Sequence, residues 1–147
     1  ARDFFRKVKL YDITYEVDNE KYRGLFSFAL ITNANRVAGI NNFYKDIKLD
    51  DNKFEVLLCN ITKLKDIVKT LYFFALYDAS KIPGFYFYQT DNIKIKFNSH
   101  LKKPLCIDGE SFDDMSGSYN IKIDHDVYVL MPSKNVNNLF VNDKKEL

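Results

Sequence analysis

Hydrophobic and polar residues alternate along much of the chain with a period of two. In KLYDITYEV, residues 9–17, Tyr11, Ile13, Tyr15 and Val17 share one side while Asp12, Thr14 and Glu16 share the other. That is the pattern of a half-buried strand. DNEK follows as a turn, and YRGLFSFALIT (22–32) reads as one further strand that closes an antiparallel hairpin with the first. It becomes apolar on both sides toward its end, which predicts a central strand. NANRVAGINN (33–42) is polar, contains Gly39 and reads as a loop. DIKLDDNKFEV then carries the acidic turn Asp50-Asp51-Asn52 and leads into a strand over Phe54–Cys59.

The period changes once. Thr62 is placed to cap a helix, and Leu64, Ile67, Val68, Leu71, Phe74 and Ala75 follow the three-four spacing of an amphipathic face. That helix should end near Asp78, before Ile82-Pro83-Gly84. Beyond it the short strands return: GFYFYQ (84–89), NIKIKFN (92–98), PLCI (104–107), SYNIKI (118–123) and DVYVLM (126–131), the last two flanking a turn at Asp124-His125. Asp108-Gly109 between apolar runs is a strong hairpin signal. Many short strands with one helix predict a mainly β fold, a two-layer antiparallel β-sandwich with one crossing α-helix. The folded unit is expected over 9–132. Residues 1–8 read as the remnant of a preceding segment, and 133–147 as a tail in which Leu139, Phe140 and Val141 could dock.

Composition narrows the classes. The chain has 147 residues, 46% hydrophobic and 29% charged, which suits one folded domain. A net charge of +2 from 22 basic and 20 acidic residues, interspersed, argues against a nucleic-acid partner. No apolar run approaches the roughly 18 residues that would span a bilayer. Ten Tyr and thirteen Phe without Trp favour sheet. Cys59 and Cys106 each sit in an apolar run and read as two buried thiols, small hydrophobes in a reducing, cytoplasmic compartment. His100 and His125 stand apart from any metal-ligand spacing. There is no Walker loop, no GxGxxG and no GxSxG.

Polar constellations interrupt the strands at Asn33…Gly39, Asp50-Asp51-Asn52 and Asp108-Gly109-Glu110. An acidic turn can hold a hard cation through a carboxylate, backbone carbonyls and water, which would suit magnesium, or can simply be a solvated turn. Glu110 can be a carboxylate that accepts a proton from a substrate hydroxyl, or the second acid of a hairpin. Lys94, Lys96, Phe97, Lys102 and Lys103 would suit an anionic membrane surface, or form the wet face of an edge strand.

In order and spacing, these constellations resemble the C-terminal domain of the diacylglycerol kinase-like lipid kinases, the family that also includes the sphingosine kinases. The resemblance rests on TNANRVAG with Asn33 and Gly39, on KLDDNKFEV with Leu49, Asp50 and Asp51, on the paired strands expected in GFYFYQTDNIKIKF, on CIDGES, and on VYVLMP, and it spans about residues 9–132. Lys45 stands where the family has proline and Asn52 where it has glycine, a position that Asn can also occupy. The resemblance implies ATP- and Mg2+-dependent phosphorylation of a lipid hydroxyl. It gives Glu110 the role of general base, and a structural Mg2+ to Asp51 with the backbone carbonyls of Lys48 and Lys53. Asn33, Gly39, Asp108 and Gly109 would shape the cleft. It implies a lipid substrate met peripherally at the membrane surface. It also implies an N-terminal nucleotide-binding domain, without which this chain should not turn over ATP. A non-catalytic lipid- or protein-binding sandwich is the alternative. Exposed edge strands would allow a homodimer.

Overall fold

In a computed structural model of the chain, residues 9–34, 44, 47–63, 66, 70, 82–99, 103–114 and 117–125 are described. Among them the chain forms β1 (Tyr11–Val17), β2 (Glu20–Phe26), β3 (Phe28–Thr32), β4 (Phe54–Cys59), β5 (Phe85–Thr90), β6 (Asn92–Phe97), β7 (Lys103–Ile107), β8 (Glu110–Asp114) and β9 (Ser118–Lys122). They pair as a four-stranded sheet in the order β2-β1-β6-β9, a three-stranded sheet β3-β4-β5 and a two-stranded ribbon β7-β8, all antiparallel.

The two larger sheets bury their facing sides together. Ile13, Tyr15 and Val17 of β1, Phe26 of β2, and Ile93 and Ile95 of β6 pack with Phe54, Val56 and Leu58 of β4 in one cluster. Each buried aliphatic side chain here contributes about 1.5–3 kcal/mol relative to exposure. The opposite side of β4 is covered as well: Leu57 packs with Tyr44 and Ile47, flanked by Leu30, Phe85 and Phe87. All six residues of β4 are therefore buried, which explains a strand apolar on both faces except at Glu55.

Two strand readings are corrected. Residues 22–32 are not one strand, because the chain leaves the first sheet at Ser27 and enters the second. Ser27 marks the crossing by donating its amide (2.6 Å) and its hydroxyl (3.0 Å) to the Cys59 carbonyl. The apolar end of that run, β3, lies at the end of the strand order, and β4 is the central strand. Likewise β5 and β6 do not pair with each other. The chain crosses back between sheets at Asp91, with β5 on β4 and β6 between β1 and β9. Hydrophobic alternation cannot distinguish a strand that continues from one that changes sheet, because both keep their apolar residues inward. The crossing is held by buried Thr90, whose hydroxyl donates toward Asp18 (3.2 Å) or the Asn92 carbonyl (3.0 Å) and accepts from the Asn92 amide (3.3 Å). Tyr15 and Tyr88 join the sheets through their hydroxyls at 2.8 Å.

The predicted crossing helix lies outside the described residues, except for Asp66 and Thr70, which are helical, Thr70 being buried. The predicted strand 126–131 also lies outside them. Before β5 the chain turns through Pro83 and Gly84, whose φ of 88° is the left-handed value a type II turn requires there.

Leu58→Ala should lower stability by about 2–5 kcal/mol in urea unfolding, since it empties a core shared by both sheets. Leu25→Ala, at a position 55% exposed, should change it by less than about 0.5 kcal/mol. Equal losses at the two positions would contradict the packing described.

Candidate functional site

Asp108 and Gly109 join β7 to β8 with φ values of 49° and 89°, both left-handed, as a two-residue type I′ hairpin turn demands. Ile107 and Glu110 are direct partners across the ladder. The hairpin reading of Asp-Gly is thus realised, with Glu110 as the first residue of β8. Leu105, Ile107 and Asp108 line one side of an apolar groove of about 530 Å³, whose other walls include Tyr11 and Phe97 of the larger sheet and Ile31 of β3. Glu110 is exposed and is not among the groove's lining residues, but its partner Ile107 is. Directly opposed residues in an antiparallel pair share a face, so Glu110 stands on the same face of the ribbon as Ile107.

The acidic turn lies at the entry to β4. Asp51 accepts the Lys53 amide at 3.0 Å, an Asx turn that fixes its carboxylate. Asn52 has φ 59°, so the left-handed position usually given to glycine is kept without one. Lys48 is half-buried, and Lys53 is exposed. Thr32 opposes Glu55 in the ladder. Asn33, exposed just after Thr32, therefore leaves β3 at the same end of the sheet where the acidic turn enters β4. Phe28 to Ile31 meet the groove from that same strand. Gly39 lies outside the described residues.

Glu55 escaped the sequence reading. It is 0% exposed, in the second position of β4. Gln89 of β5 donates to its Oε1 at 3.4 Å, while its Oε2 has no hydrogen-bond partner. Burial pushes the carboxyl well above the usual range, to about 7; the Gln89 hydrogen bond opposes the rise, and the charge of Asp51 adds to it. Burial also raises the Tyr44 phenol, and the charge of Glu55 adds to that rise. The available signal was a lone acid inside a strand otherwise apolar on both sides.

Other readings change. Cys106 is exposed, not buried; its ribbon is not enclosed between the sheets, and only Cys59 is a core thiol. Lys94 and Lys96 are not on an edge strand, since β6 is interior to its sheet. Lys94 is paired with Glu16 at 2.7 Å, and Phe97 packs between Tyr11 and Tyr119. Arg23 grips Asp12 through two bonds of 3.0 and 2.6 Å, holding the Asp12 carboxyl near 2. Among the described residues, no three His, Cys, Asp or Glu side chains group as a metal site. A cation at the acidic turn would therefore need backbone oxygens as well as carboxylate.

The fold as a whole is similar to part of three solved structures. The chain matches a protein of Bacillus anthracis str. Sterne assigned as a diacylglycerol kinase with a TM-score of 0.60, at 16% identity, over 80% of this chain and 40% of that one. A second structure so assigned from the same strain matches with a TM-score of 0.55 at 12% identity, over 80% and 39%. A third, of a diacylglycerol kinase from that strain, gives 0.50 at 13% identity, over 78% and 41%. The likeness is one of fold, and this chain spans about two-fifths of the length of each. No protein-family model and no curated protein matches the chain.

Because Glu55 binds its proton more tightly when folded, its burial costs stability above its folded value and not below its ordinary one. In metal-free buffer, stability should fall as pH rises from about 4.5 to about 7. Glu55→Gln should remove most of that slope in urea unfolding across this range. An unchanged slope would mean that Glu55 titrates as in water.

Proposed function

We propose that the chain is the C-terminal, substrate-side domain of an ATP- and Mg2+-dependent lipid kinase, which phosphorylates a lipid hydroxyl such as that of diacylglycerol. The observation that supports it best is the apolar groove opening beside the Asp108-Gly109-Glu110 turn, in a fold matched by diacylglycerol kinases. An acyl chain can lie along Ile31, Phe97 and Leu105 while the polar end of the lipid stays at the rim.

In this reading Glu110 is the general base. Phosphoryl transfer is mostly positioning and charge stabilisation, so the base need only orient one hydroxyl and take its proton. Exposure at the rim suits a group that acts on a substrate entering from a membrane surface. Asp51, with the carbonyls of Lys48 and Lys53, would hold a structural Mg2+, an ion that the oxygen-only donors and the left-handed Asn52 suit. Bound there, Mg2+ supplies charge compensation at the acidic turn. Asn33 and Asp108 border the cleft that an N-terminal nucleotide-binding domain completes with ATP. The enzyme works in the cytoplasm at the membrane surface; no described helix is long and apolar enough to cross a membrane.

A non-catalytic binding module is the second reading, favoured by the exposure of the Asp108–Glu110 turn. The two separate in the protein that carries both domains. Glu110→Gln should reduce lipid phosphorylation by about 100-fold or more, with circular dichroism unchanged. Activity within a few-fold of the parent would exclude Glu110 as the base. The present chain by itself should show no ATP turnover.

A further inference from the structure

The outer face of the four-stranded sheet carries a charge pattern that the proposed chemistry does not use. In the ladder Glu16 stands between Lys21 and Lys94, Thr14 stands between Arg23 and Lys96, and Lys122 opposes Asn92. Opposed residues share a face and side chains alternate along each strand, so all five cations stand on the side away from buried Ile13, Tyr15, Ile93 and Ile95. All five are exposed. Among the described residues of these strands, the same face holds two acids, Asp12 and Glu16, and both are engaged from within it. Asp12 accepts from Arg23 at 2.6 Å and from Asn98 at 2.9 Å, and Glu16 is paired with Lys94 at 2.7 Å. Lys96 and Lys122 form no ion pair among the described residues, so positive charge is left over on this face.

The β7-β8 hairpin has the opposite balance, with Asp108, Glu110, Asp113 and Asp114 against Lys103. A negative surface that attracts the sheet therefore repels the hairpin. The face also selects among polyanions. Tyr11, Tyr15, Tyr22, Phe26, Phe97 and Tyr119 all fall on the inner side of the sheet in the same registers. The outer side is left without the aromatic platforms on which single-stranded bases stack. Its large apolar side chain is Leu25, which opposes Asp12 and is 55% exposed. Spread cations with an exposed leucine suit a layer of anionic headgroups, where each Lys or Arg near the surface adds to the attraction without a fixed partner.

We propose that the outer face of the β2-β1-β6-β9 sheet is a docking surface for an anionic bilayer, with Lys96 and Lys122 as its uncommitted cations and Leu25 as its apolar contact. The Asp12–Arg23 and Glu16–Lys94 pairs hold the remainder of the face in order. This rests on the lipid-substrate part of the function proposed above and gives it a surface: the sheet whose inner side lines the groove meets the membrane with its outer side.

The test is co-sedimentation of the whole chain with vesicles of phosphatidylcholine mixed with phosphatidylglycerol, and with vesicles of phosphatidylcholine alone. The parent should bind the mixed vesicles in preference and release them as salt rises. Lys96→Ala and Lys122→Ala should each weaken binding about fivefold, and together by about tenfold or more. Both positions are exposed, so circular dichroism should not change. Lys63→Ala removes an exposed lysine beyond β4, in the other sheet, and should leave binding as in the parent. Equal losses in Lys63→Ala and Lys96→Ala would mean that net charge attracts the vesicles, and would overturn the proposal. So would equal binding to the two kinds of vesicle. Tighter binding of polyglutamate or of single-stranded DNA, lost in the double variant, would assign the face to another partner and overturn it as well. In the protein that carries both domains, the double variant should lose phosphorylation of diacylglycerol presented in mixed vesicles and keep that of a short-chain, water-dispersed diacylglycerol. Vesicle binding without kinase activity in that protein supports the docking surface and overturns the kinase reading; kinase activity without vesicle binding does the reverse.

Discussion

Burial of β4 on both faces is the constraint on which the other elements depend. Val56 and Leu58 look into the space between the sheets, while Leu57 looks toward Tyr44 and Ile47. A strand with no wet side needs cover from two directions, and the four-stranded sheet closes over one face while Tyr44 and Ile47 pack on the other. The neighbours of β4 follow from this. β3 and β5 flank it, and each is continuous in sequence with a strand of the opposite sheet, so the chain crosses between layers at Ser27 and at Asp91. Those crossings turn two stacked sheets into one laced unit.

The groove is a consequence of the same arrangement. Near the handover from β2 to β3, Tyr11 and Phe97 of one layer, Ile31 of the other and residues of the β7-β8 ribbon line it together. The ribbon is short and pairs with neither large sheet, so it carries its turn to the rim. A rigid β-bed with a polar turn at its mouth is the geometry in which an apolar molecule can be held while one polar end stays accessible. The acidic turn at β4 lies at the end of the second sheet that also carries Asn33, and β3 connects the two regions.

Much of this was legible in residue order. The alternation in residues 11–17 reports a half-buried strand, and Asp-Gly at 108–109 reports a tight hairpin, because both signals depend on local geometry: side-chain period and positive φ. The acidic turn is legible for the same reason, and Asn52 adopts the conformation its type permits. The break at Ser27 is not, since a strand that changes sheets keeps its inward pattern. Nor is the pairing of β5, because pairing partners are chosen by residues distant in sequence. The exposure of Cys106 escaped as well, since an apolar run such as PLCI looks the same in a core strand as in a ribbon that only borders a groove.

Glu55 marks the boundary between the two kinds of information. Its neighbours Phe54 and Val56 place it in a strand, and that much the order of residues determined by itself, as it determined the β class and the turn at Asp108-Gly109. Whether its carboxylate meets water or protein was decided only when Tyr44 and Ile47 folded over β4 and Gln89 came beside it. Burial depends on which distant segments arrive, and no local periodicity encodes that.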